Sequence, residues 1–426
     1  MALLGCGTVG GGVLRLLQKN AADFRARVGV PLEVRHVLVR DLEKPRVSEC
    51  DRALLTTDLS RVLADEAVEL VVEVMGGEDF AGTCIQRALA SGRSVVTANK
   101  ALLARRGPEL LEEATRRGVG LLFEAAVGGG IPVVRTLRDA FASDEVTEIT
   151  GILNGTSNYI LSKMTAEGAP FDEVLAEAQA LGYAEADPSL DIDGHDAAQK
   201  LVVLAMLAFG ARPPREAMTI EGIRGLDAYD VRMAAHFGFN VKHLAIGRDL
   251  GAAIELRAHP ALVKKTSVLS NVSGVLNAIR LEGRALGPCL LSGRGAGDMP
   301  TAVSVVADVL DVARAIVAGA PGIVTGARAL AERPLADPGD RRLRFYVRLS
   351  VADQPGVMAT IAGAFGREEV SLSQIVQSES EGGAARIVII THVAKEASVR
   401  AALRAIDREG VLVSTTAAVL LRIEES

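Results

Sequence analysis

The sequence predicts an α/β protein of about three domains. The chain has 426 residues, which at about 150 residues per domain is enough for three cores. Its first third alternates short apolar runs with amphipathic stretches, as in strands and helices of a parallel sheet. Its last part, residues 343–426, reads strand, helix, strand, strand, helix, strand. We therefore expect a parallel-sheet domain, an α+β middle domain and a smaller C-terminal domain.

The composition excludes several partners. The formal charge is −6 without basic blocks, aromatic residues make up 3% and Trp is absent, which argues against nucleic acid and anionic membranes. The longest apolar run, residues 201–211, is too short to span a bilayer. The four cysteines are scattered without a CxxC pair, and no charged leader precedes the first strand. We expect a cytoplasmic protein without disulfides or zinc.

The first domain is predicted to cover residues 1–124. Its predicted strands are residues 2–4, 33–39, 70–74, 94–97 and 120–124, and its predicted helices are residues 10–19, 60–65, 81–91 and 108–117. Pro108 is expected in the first turn of the last of these helices. The first predicted strand is unusually short, which is compatible with a native start upstream of Met1.

Longer helices and separated strands follow in residues 125–299, which predicts an α+β domain inserted into the first. Its strands are expected at residues 145–153, 243–249 and 253–258, and a helical pattern over 300–318 is expected to return to the first domain, which residues 300–330 complete. Residues 331–342 carry two prolines and a glycine and are predicted to be a linker. The βαββαβ pattern of residues 343–426 predicts a ferredoxin-like domain.

Residues 5–10 read Gly-Cys-Gly-Thr-Val-Gly between a strand and a helix. In this pattern Gly5 allows the tight turn, Gly7 lets the backbone approach a pyrophosphate, and Gly10 allows close helix packing. Thr8 and Val9 begin the helix, whose N–H groups face the anion. The motif predicts a Rossmann-type dinucleotide-binding domain.

The second strand ends with Arg40 and Asp41. An acid at this position binds the ribose hydroxyl of NAD, whereas an arginine suits the 2′-phosphate of NADP. We expect Arg40 to favour NADP; the alternative is a solvated side chain.

Two further strand ends are expected to face the cofactor. Thr97 and Lys100 follow one strand, and Lys100 would hold a carbonyl or carboxylate oxygen near the nicotinamide. Gly76 follows another strand and is either a loop residue or a close approach to the ring. A surface lysine is the alternative for Lys100.

Residues 124–132 form a glycine-rich bend that starts with Glu124. Backbone oxygens beside a carboxylate suit a hard cation. A hinge without a metal remains the alternative.

The densest polar cluster lies in residues 182–200. Asp193 is expected to cap the apolar helix that follows, which places Asp196 and Lys200 on one face at its start. A calcium loop is excluded, because Lys200 would stand where the bidentate glutamate must be. The acids upstream, with one lysine, suit binding of an amino-acid ammonium and donation of a proton to an oxygen.

Together these motifs resemble homoserine dehydrogenase over residues 1–330, followed by an ACT domain. The resemblance is carried by residues 3–12, the Thr-Ala-Asn-Lys of 97–100, residues 128–132, the Asn-Gly-Thr-Ser-Asn-Tyr of 154–159 and, most specifically, residues 182–200. It implies reversible, NAD(P)-dependent interconversion of L-homoserine and L-aspartate 4-semialdehyde, in threonine, methionine and isoleucine biosynthesis.

The resemblance also implies that residues 125–299 bind the substrate, carry the catalytic residues and form the dimer contact, and it implies residue roles. Lys200 corresponds to the family's proton donor, and Asp196 and Lys100 to residues around the reacting oxygen. The implied substrate-binding residues are Glu185, Asp191, Tyr183, Gly155 and Thr156. The family's sodium position matches Glu124, Val127, Gly129 and Ile131, and Gly297 falls where the chain returns to the cofactor.

In the C-terminal domain, Asp353 and Gly356 form the first strand–helix turn, and Gln374 lies on the next strand. The resemblance to ACT domains implies that these residues hold a small amino acid between paired domains. By pathway logic the effector is L-threonine, a downstream product; the alternative is a dimerisation module without a ligand. The resemblance further implies a homodimer or a dimer of dimers.

Two other functions are considered. One is a non-catalytic amino-acid sensor on a Rossmann scaffold, which the intact Lys100, Glu185, Asp196 and Lys200 argue against. The other is a different dehydrogenase joined to an ACT domain.

Overall fold

Six parallel strands form the N-terminal sheet of the computed structural model, which describes residues 1–212, 218–325, 329–381, 384–413 and 418–425. The strands are β1 (Ala2–Leu4), β2 (His36–Leu38), β3 (Leu55–Thr56), β4 (Leu70–Glu73), β5 (Ser94–Thr97) and β6 (Leu121–Leu122). Their order, β3-β2-β1-β4-β5-β6, is that of a doubly wound nucleotide-binding sheet, which confirms the predicted fold class. The crevice of such a sheet lies beyond the carboxyl ends of its strands.

The helices of this domain are α1 (Thr8–Lys19), α2 (Ala21–Val28), α3 (Leu59–Ala64), α4 (Asp79–Ala90) and α5 (Lys100–Arg117). The predicted helix over residues 108–117 is present, but its predicted start was wrong, because α5 begins at Lys100 and Pro108 lies inside it. The side chain of Asn99 caps the helix by accepting the Leu102 N–H at 3.2 Å. Buried leucines on both sides of Pro108 hold one continuous helix. Burial of a leucine is worth about 1.5–3 kcal/mol, so several offset the roughly 3 kcal/mol cost of an internal proline.

The middle domain packs helices against an antiparallel sheet. Its helices are α6 (Val133–Arg135), α7 (Gly155–Glu167), α8 (Phe171–Ala180), α9 (Ser189–Ile192), α10 (His195–Phe209) and α11 (Ala228–His236). Its strands are β7 (Val146–Ile152), β8 (Ala211–Arg212), β9 (Thr219–Ile220), β10 (Phe239–Asp249), β11 (Ile254–Lys264), β12 (Leu276–Gly283) and β13 (Gly287–Arg294). The apolar run after residue 200 forms α10, which is buried on nearly every side, as predicted.

Helix α12 (Asp298–Val317) returns to the first domain and packs along α1, as expected. The contact is close enough that a Cβ on Gly12 would lie 2.8 Å from the Cβ of Ala302. Val305 and Val309 of α12 join the core around β1. The chain therefore crosses twice between the two domains, and the cavity between them is walled by both.

The C-terminal domain has the predicted βαββαβ order. After β14 (Ala331–Glu332), its elements are β15 (Arg342–Ala352), α13 (Val357–Arg367), β16 (Leu372–Glu381), β17 (Ala384–Thr391), β18 (Ala394–Lys395), α14 (Glu396–Arg408) and β19 (Ala418–Glu424). The sheet order β19-β15-β17-β16 is ferredoxin-like.

The C-terminal domain is not a loosely tethered module. Strand β19 pairs in parallel with β11, with Leu262 opposite Ile423, so the two sheets are continuous. In the segment expected to be a linker, Arg333 binds Asp249 at 2.6 Å, and Arg341, whose side chain is 7% exposed, binds Glu255 at 2.6 Å. Burial of apolar side chains holds the C-terminal domain against the middle domain, because one hydrophobic cluster contains residues of both.

Within the described part of the chain, no helix is both long and apolar enough to cross a membrane. All four cysteines are free thiols.

Candidate active site

A cavity of about 780 Å³ lies between the glycine-rich turn and the middle domain. It brings together catalytic and substrate-binding candidates that are far apart in the sequence: Lys100, Gly155, Thr156, Tyr183, Glu185, Asp191, Asp196 and Lys200. Val9, Gly76, Gly129 and Gly297 line the same cavity. The cavity thus has one wall at the glycine-rich turn of the first domain and a polar wall at the middle domain.

The turn before α1 requires its glycines. Gly5 has a φ of +100°, and a Cβ there would come within 2.9 Å of the Val74 backbone. A Cβ on Gly10 would lie 2.2 Å from the carbonyl oxygen of Gly5. Gly7 has open space around it, and no side chain caps the helix there. The first N–H groups of α1, from Thr8 onward, are therefore available to an anion.

Glu73 is a buried carboxylate that sequence reasoning missed. One of its oxygens accepts the N–H groups of Met75 at 2.7 Å and Gly76 at 3.2 Å, and the other accepts the Thr97 hydroxyl at 2.6 Å. The Thr97 hydroxyl in turn accepts the N–H of Asn99 at 3.1 Å. Thr97 thus positions the loops at the ends of β4 and β5. The available signal was a charged residue in an otherwise apolar strand.

The two charged residues that follow β2, Arg40 and Asp41, have different surroundings. The Asp41 carboxylate accepts the N–H of Glu43 at 2.8 Å and closes its own turn, whereas Arg40 is exposed. Arg46, which sequence reasoning also missed, donates to the carbonyl oxygens of Cys6 at 2.9 Å and Asp41 at 2.7 Å. Arg46 therefore ties the glycine-rich turn to this segment, and Arg40 remains accessible to a phosphate.

The centre of the polar side is Asp196, which lies between two lysines. Its carboxylate is 2.7 Å from the Lys200 ammonium and 3.1 Å from that of Lys100. Lys200 also donates to the carbonyl oxygen of Leu153 at 2.7 Å. Burial would raise the pKa of Asp196, but the two lysine cations outweigh burial and hold that pKa well below its usual value. The cluster carries two positive charges and one negative charge.

Helix α10 starts in a different way from the one predicted. Its cap is Gly194, in the left-handed region with a φ of +89°, and not Asp193. The Asp193 carboxylate instead pairs with Arg224 at 2.9 Å. The expectation that Asp196 and Lys200 share one face of the helix is confirmed by their contact. The cap was mispredicted because a distant arginine competes for the Asp193 carboxylate.

Asn154 joins the two acids of the site, a role that sequence reasoning did not assign. Its amide donates to Asp191 at 2.7 Å and to Asp196 at 2.8 Å, and its oxygen caps α7 by accepting the Ser157 N–H at 2.8 Å. Gly155 follows at the N-terminus of α7, where a Cβ would lie 2.9 Å from the carbonyl oxygen of Val275. An asparagine before a helix is an ordinary cap, so only the fold reveals its second use.

The two acids at the open end of the cavity, Glu185 and Asp191, differ in their partners. Glu185 is exposed, and no cation of the described chain lies within ion-pair distance of it. The Thr156 hydroxyl lies 2.7 Å from the carbonyl oxygen of Tyr183 and 3.1 Å from Asp191. The Glu185 carboxylate complements the ammonium group of an amino acid, and the N-terminus of α7 complements its carboxylate.

The bend that starts at Glu124 packs on the cavity wall. The Glu124 carboxylate accepts the N–H groups of Val134 at 2.9 Å and Arg135 at 2.7 Å. The carbonyl of Gly129 accepts the Ser304 hydroxyl at 2.6 Å, and that of Ile131 accepts the Val133 N–H at 2.8 Å. Val127 is fully buried beside them. No group of three or more His, Cys, Asp or Glu side chains is placed for a metal in the described residues.

The effector candidates are exposed but far apart within one chain. Asp353 and Gly356 form the turn before α13, where Gly356 has a φ of +93°. Gln374 pairs with Ile390, which pairs with Tyr346, seven residues before Asp353. At about 3.3 Å per residue this separation is about 23 Å. A single ligand touching both places therefore requires two chains.

Family models match most of the chain. The model for the NAD-binding domain of homoserine dehydrogenase matches residues 5–124, that for homoserine dehydrogenase matches 132–310, and that for the ACT domain matches 345–411. A homoserine dehydrogenase from a Synechocystis species is 44% identical, with 96% of each chain covered. That from Corynebacterium glutamicum is 42% identical over 93% of this chain and 89% of its own length.

Solved structures agree with these relatives. A homoserine dehydrogenase from Thiobacillus denitrificans has a TM-score of 0.92 at 40% identity, with 100% of this chain and 97% of that chain covered. A hyperthermophilic archaeal homoserine dehydrogenase in complex with NADPH has a TM-score of 0.62 at 27% identity, covering 73% of this chain and 96% of its own.

Proposed function

The chain belongs to the homoserine dehydrogenase family, and on that premise we propose how its residues perform the reaction. It is an NAD(P)-dependent oxidoreductase that interconverts L-homoserine and L-aspartate 4-semialdehyde. The observation that carries the proposed mechanism is the Lys100–Asp196–Lys200 cluster in the cavity wall. The test is nicotinamide absorbance with L-homoserine and each cofactor, combined with the variants described below.

Lys200 is the proposed proton donor. An ammonium has three N–H donors, and Leu153 and Asp196 accept two of those of Lys200, which leaves one for the substrate oxygen or a water. When bound, the nicotinamide cofactor supplies or accepts the hydride. The excess positive charge of the cluster then stabilises the alkoxide that develops on the substrate. Lys100 adds to this charge and keeps Asp196 ionised.

Glu185 is proposed to bind the substrate ammonium, together with Asp191. The uncompensated charge of Glu185 supports this role. Gly155 and Thr156 are proposed to receive the substrate carboxylate at the N-terminus of α7, where unpaired N–H groups favour an anion. Tyr183 covers this end of the cavity.

Arg40 is proposed to bind the 2′-phosphate of NADP. We expect Arg40→Ala to weaken NADP binding by about 1.5–3 kcal/mol, the scale of a hydrogen bond to a charged group, and to leave NAD binding unchanged. Arg46→Ala is the contrasting variant, since its contact with Cys6 serves both cofactors. Calorimetric titration with each cofactor measures the difference. Equal losses in Arg40→Ala would show that Arg40 is structural.

A monovalent cation, sodium, is proposed for the bend of residues 124–131. The donor set fits, because Glu124, Val127, Gly129 and Ile131 offer only hard oxygen ligands. Such an ion would link the Glu124 carboxylate to the backbone of the bend and so stabilise the folded protein. We expect a higher melting temperature in sodium chloride than in tetramethylammonium chloride at equal ionic strength. Identical melting temperatures would contradict the cation.

A cytoplasmic homodimer that pairs through the middle domain is proposed, or a dimer of two such dimers. Strand β13 is the edge of the large sheet, and the exposed Leu286 and Leu290 lie on its hairpin. An exposed edge with apolar side chains favours pairing with a second chain. Light scattering distinguishes monomer, dimer and tetramer. The proposed pathway is threonine, methionine and isoleucine biosynthesis.

The C-terminal domain is proposed to bind L-threonine as a feedback effector. An ion-pair network connects it to Glu221 of the middle domain and supports this role. Arg422 of β19 donates to Glu221 at 2.8 Å and to Glu396 at 2.6 Å. Burial raises the pKa of Glu396, but Arg422 and Arg400 outweigh burial and lower it to about 2.

The segment after Glu221 rests directly on the start of the catalytic helix. Ile223 donates to the carbonyl oxygen of Ile192 at 2.7 Å, and a Cβ on Gly222 would lie 2.4 Å from the Cα of Asp193. Movement of β19 would therefore displace the chain that leads to Asp196 and Lys200. Threonine would inhibit the enzyme by binding more tightly to one of two positions of β19 than to the other.

We expect threonine to change wild-type activity about 5–150-fold, the range of typical couplings. Gly356→Val and Asp353→Ala should abolish the response, and Glu221→Gln should weaken it while threonine still binds. Asp407→Ala, an exposed acid of the same domain, is the control. Truncation at Glu332 is unsuitable, because it would expose the core shared with β11. If threonine changes the activity of Gly356→Val and Asp353→Ala as it does that of the wild type, the C-terminal domain has only a role in assembly.

A further inference from the structure

Asn277 carries an amide without partners in the wall of the active-site cavity. The residue lies on β12, is 1% exposed, and lines the cavity beside Gly155, Arg294 and Gly295. Neither its amide nitrogen nor its amide oxygen has a hydrogen-bond partner among the residues that the structure describes. Leaving a buried polar group unpaired costs about 1–3 kcal/mol, so an amide with both groups unpaired indicates a missing ligand.

The fold holds this amide in place. A Cβ on Gly295 would lie 2.2 Å from Cγ of Asn277, and one on Gly155 would lie 3.5 Å from its Oδ1. The amide therefore lies between the N-terminus of α7 and the loop that leads into α12. Its backbone carbonyl is fixed separately by the Ser292 hydroxyl at 3.1 Å. Only the side-chain amide remains to be satisfied.

The hydrogen-bonding groups of the Asn277 amide limit which ligand groups can pair with it. It offers one acceptor and two N–H donors, so its complement is a group with a donor and an acceptor side by side. A substrate carboxylate has only acceptors, and a substrate ammonium has only donors. The carboxamide of nicotinamide has both, on the ring carbon next to the one that exchanges hydride. A residue that binds the carboxamide must therefore lie close to the reacting carbon. Asn277 meets this condition, because it lies beside Gly155, and the preceding residue, Asn154, donates to Asp196.

We propose that Asn277 binds the nicotinamide carboxamide and sets the orientation of the ring, an inference that rests on the proposed function. Its amide carbonyl accepts from the carboxamide NH₂, and its own NH₂ donates to the carboxamide carbonyl. Gly295 leaves the space that the Asn277 amide occupies, since a Cβ there would lie 2.2 Å from Cγ of Asn277.

The test measures cofactor binding by calorimetry without substrate. The probes are NADP⁺ and its 3-acetylpyridine analogue, whose acetyl group keeps the carbonyl but lacks the NH₂ donor. We expect the wild type to bind the analogue about 5–20-fold more weakly, the scale of one lost hydrogen bond with its partner left unpaired. In Asn277→Ala this ratio should fall to about 1, and Asn277→Asp, which keeps an acceptor, should retain part of it. Because the ratio compares two ligands on one protein, it does not depend on the folded fraction.

Asn271→Ala is the matched control, since this exposed asparagine donates to Ser267 away from the cavity. An unchanged ratio in Asn277→Ala would overturn the inference. So would an effect confined to the KM for homoserine, which would place the amide on the substrate carboxylate. Absence of homoserine-dependent reduction in the wild type would instead overturn the proposed function, so the two failures are distinct.

Discussion

Lys200→Ala is expected to lower kcat by about 10²–10⁴-fold, the usual contribution of a positioned general acid. The variant removes the one N–H that the structure leaves for the substrate oxygen, whereas the cofactor contacts at the glycine-rich turn remain. The KM for NADP⁺ should therefore change little. Steady-state kinetics with L-homoserine, together with calorimetric cofactor binding, measure both effects.

Lys163→Ala provides the control for this variant, because Lys163 lies on α7 of the same domain and pairs with Glu177 outside the cavity. It should keep wild-type kcat. Lys200→Ala leaves Asp196 with Lys100 as its remaining cation, so its melting temperature must be compared with that of the wild type. A folded Lys200→Ala enzyme with near wild-type kcat would remove Lys200 from the mechanism.

Glu185→Gln is expected to raise the KM for L-homoserine by about 10-fold or more and to change kcat less, because a neutral amide no longer compensates the substrate ammonium. The decisive comparison uses 4-hydroxybutyrate, which lacks the amino group. The wild type should strongly prefer homoserine, and Glu185→Gln should lose most of that preference.

Glu173→Gln, an exposed glutamate on α8 of the same domain, is the matched control and should behave as the wild type. If Glu185→Gln discriminates between the two substrates as well as the wild type does, the ammonium is bound elsewhere, and Asp191 becomes its principal partner.

The features that depend on local geometry could be predicted from the amino-acid sequence. The glycine pattern of residues 5–10 predicts the turn before α1, because Gly5 and Gly10 occupy positions where a Cβ would meet backbone. Alternating apolar runs predict the parallel sheet, and the spacing of Asp196 and Lys200 places them one helical turn apart. These inferences hold because backbone sterics and helix periodicity act over a few residues.

The features that depend on competition between distant residues could not be predicted from the sequence and are visible only in the folded chain. Arg224 takes the carboxylate of Asp193, so Gly194 caps α10, and burial of leucines on both sides carries α5 through Pro108. Strand β19 joins β11 because the two domains share one core, which no local pattern reveals. The second role of Asn154 and the unpaired amide of Asn277 likewise exist only where strands and helices remote in sequence meet, since hydrogen-bond satisfaction is a property of the whole fold.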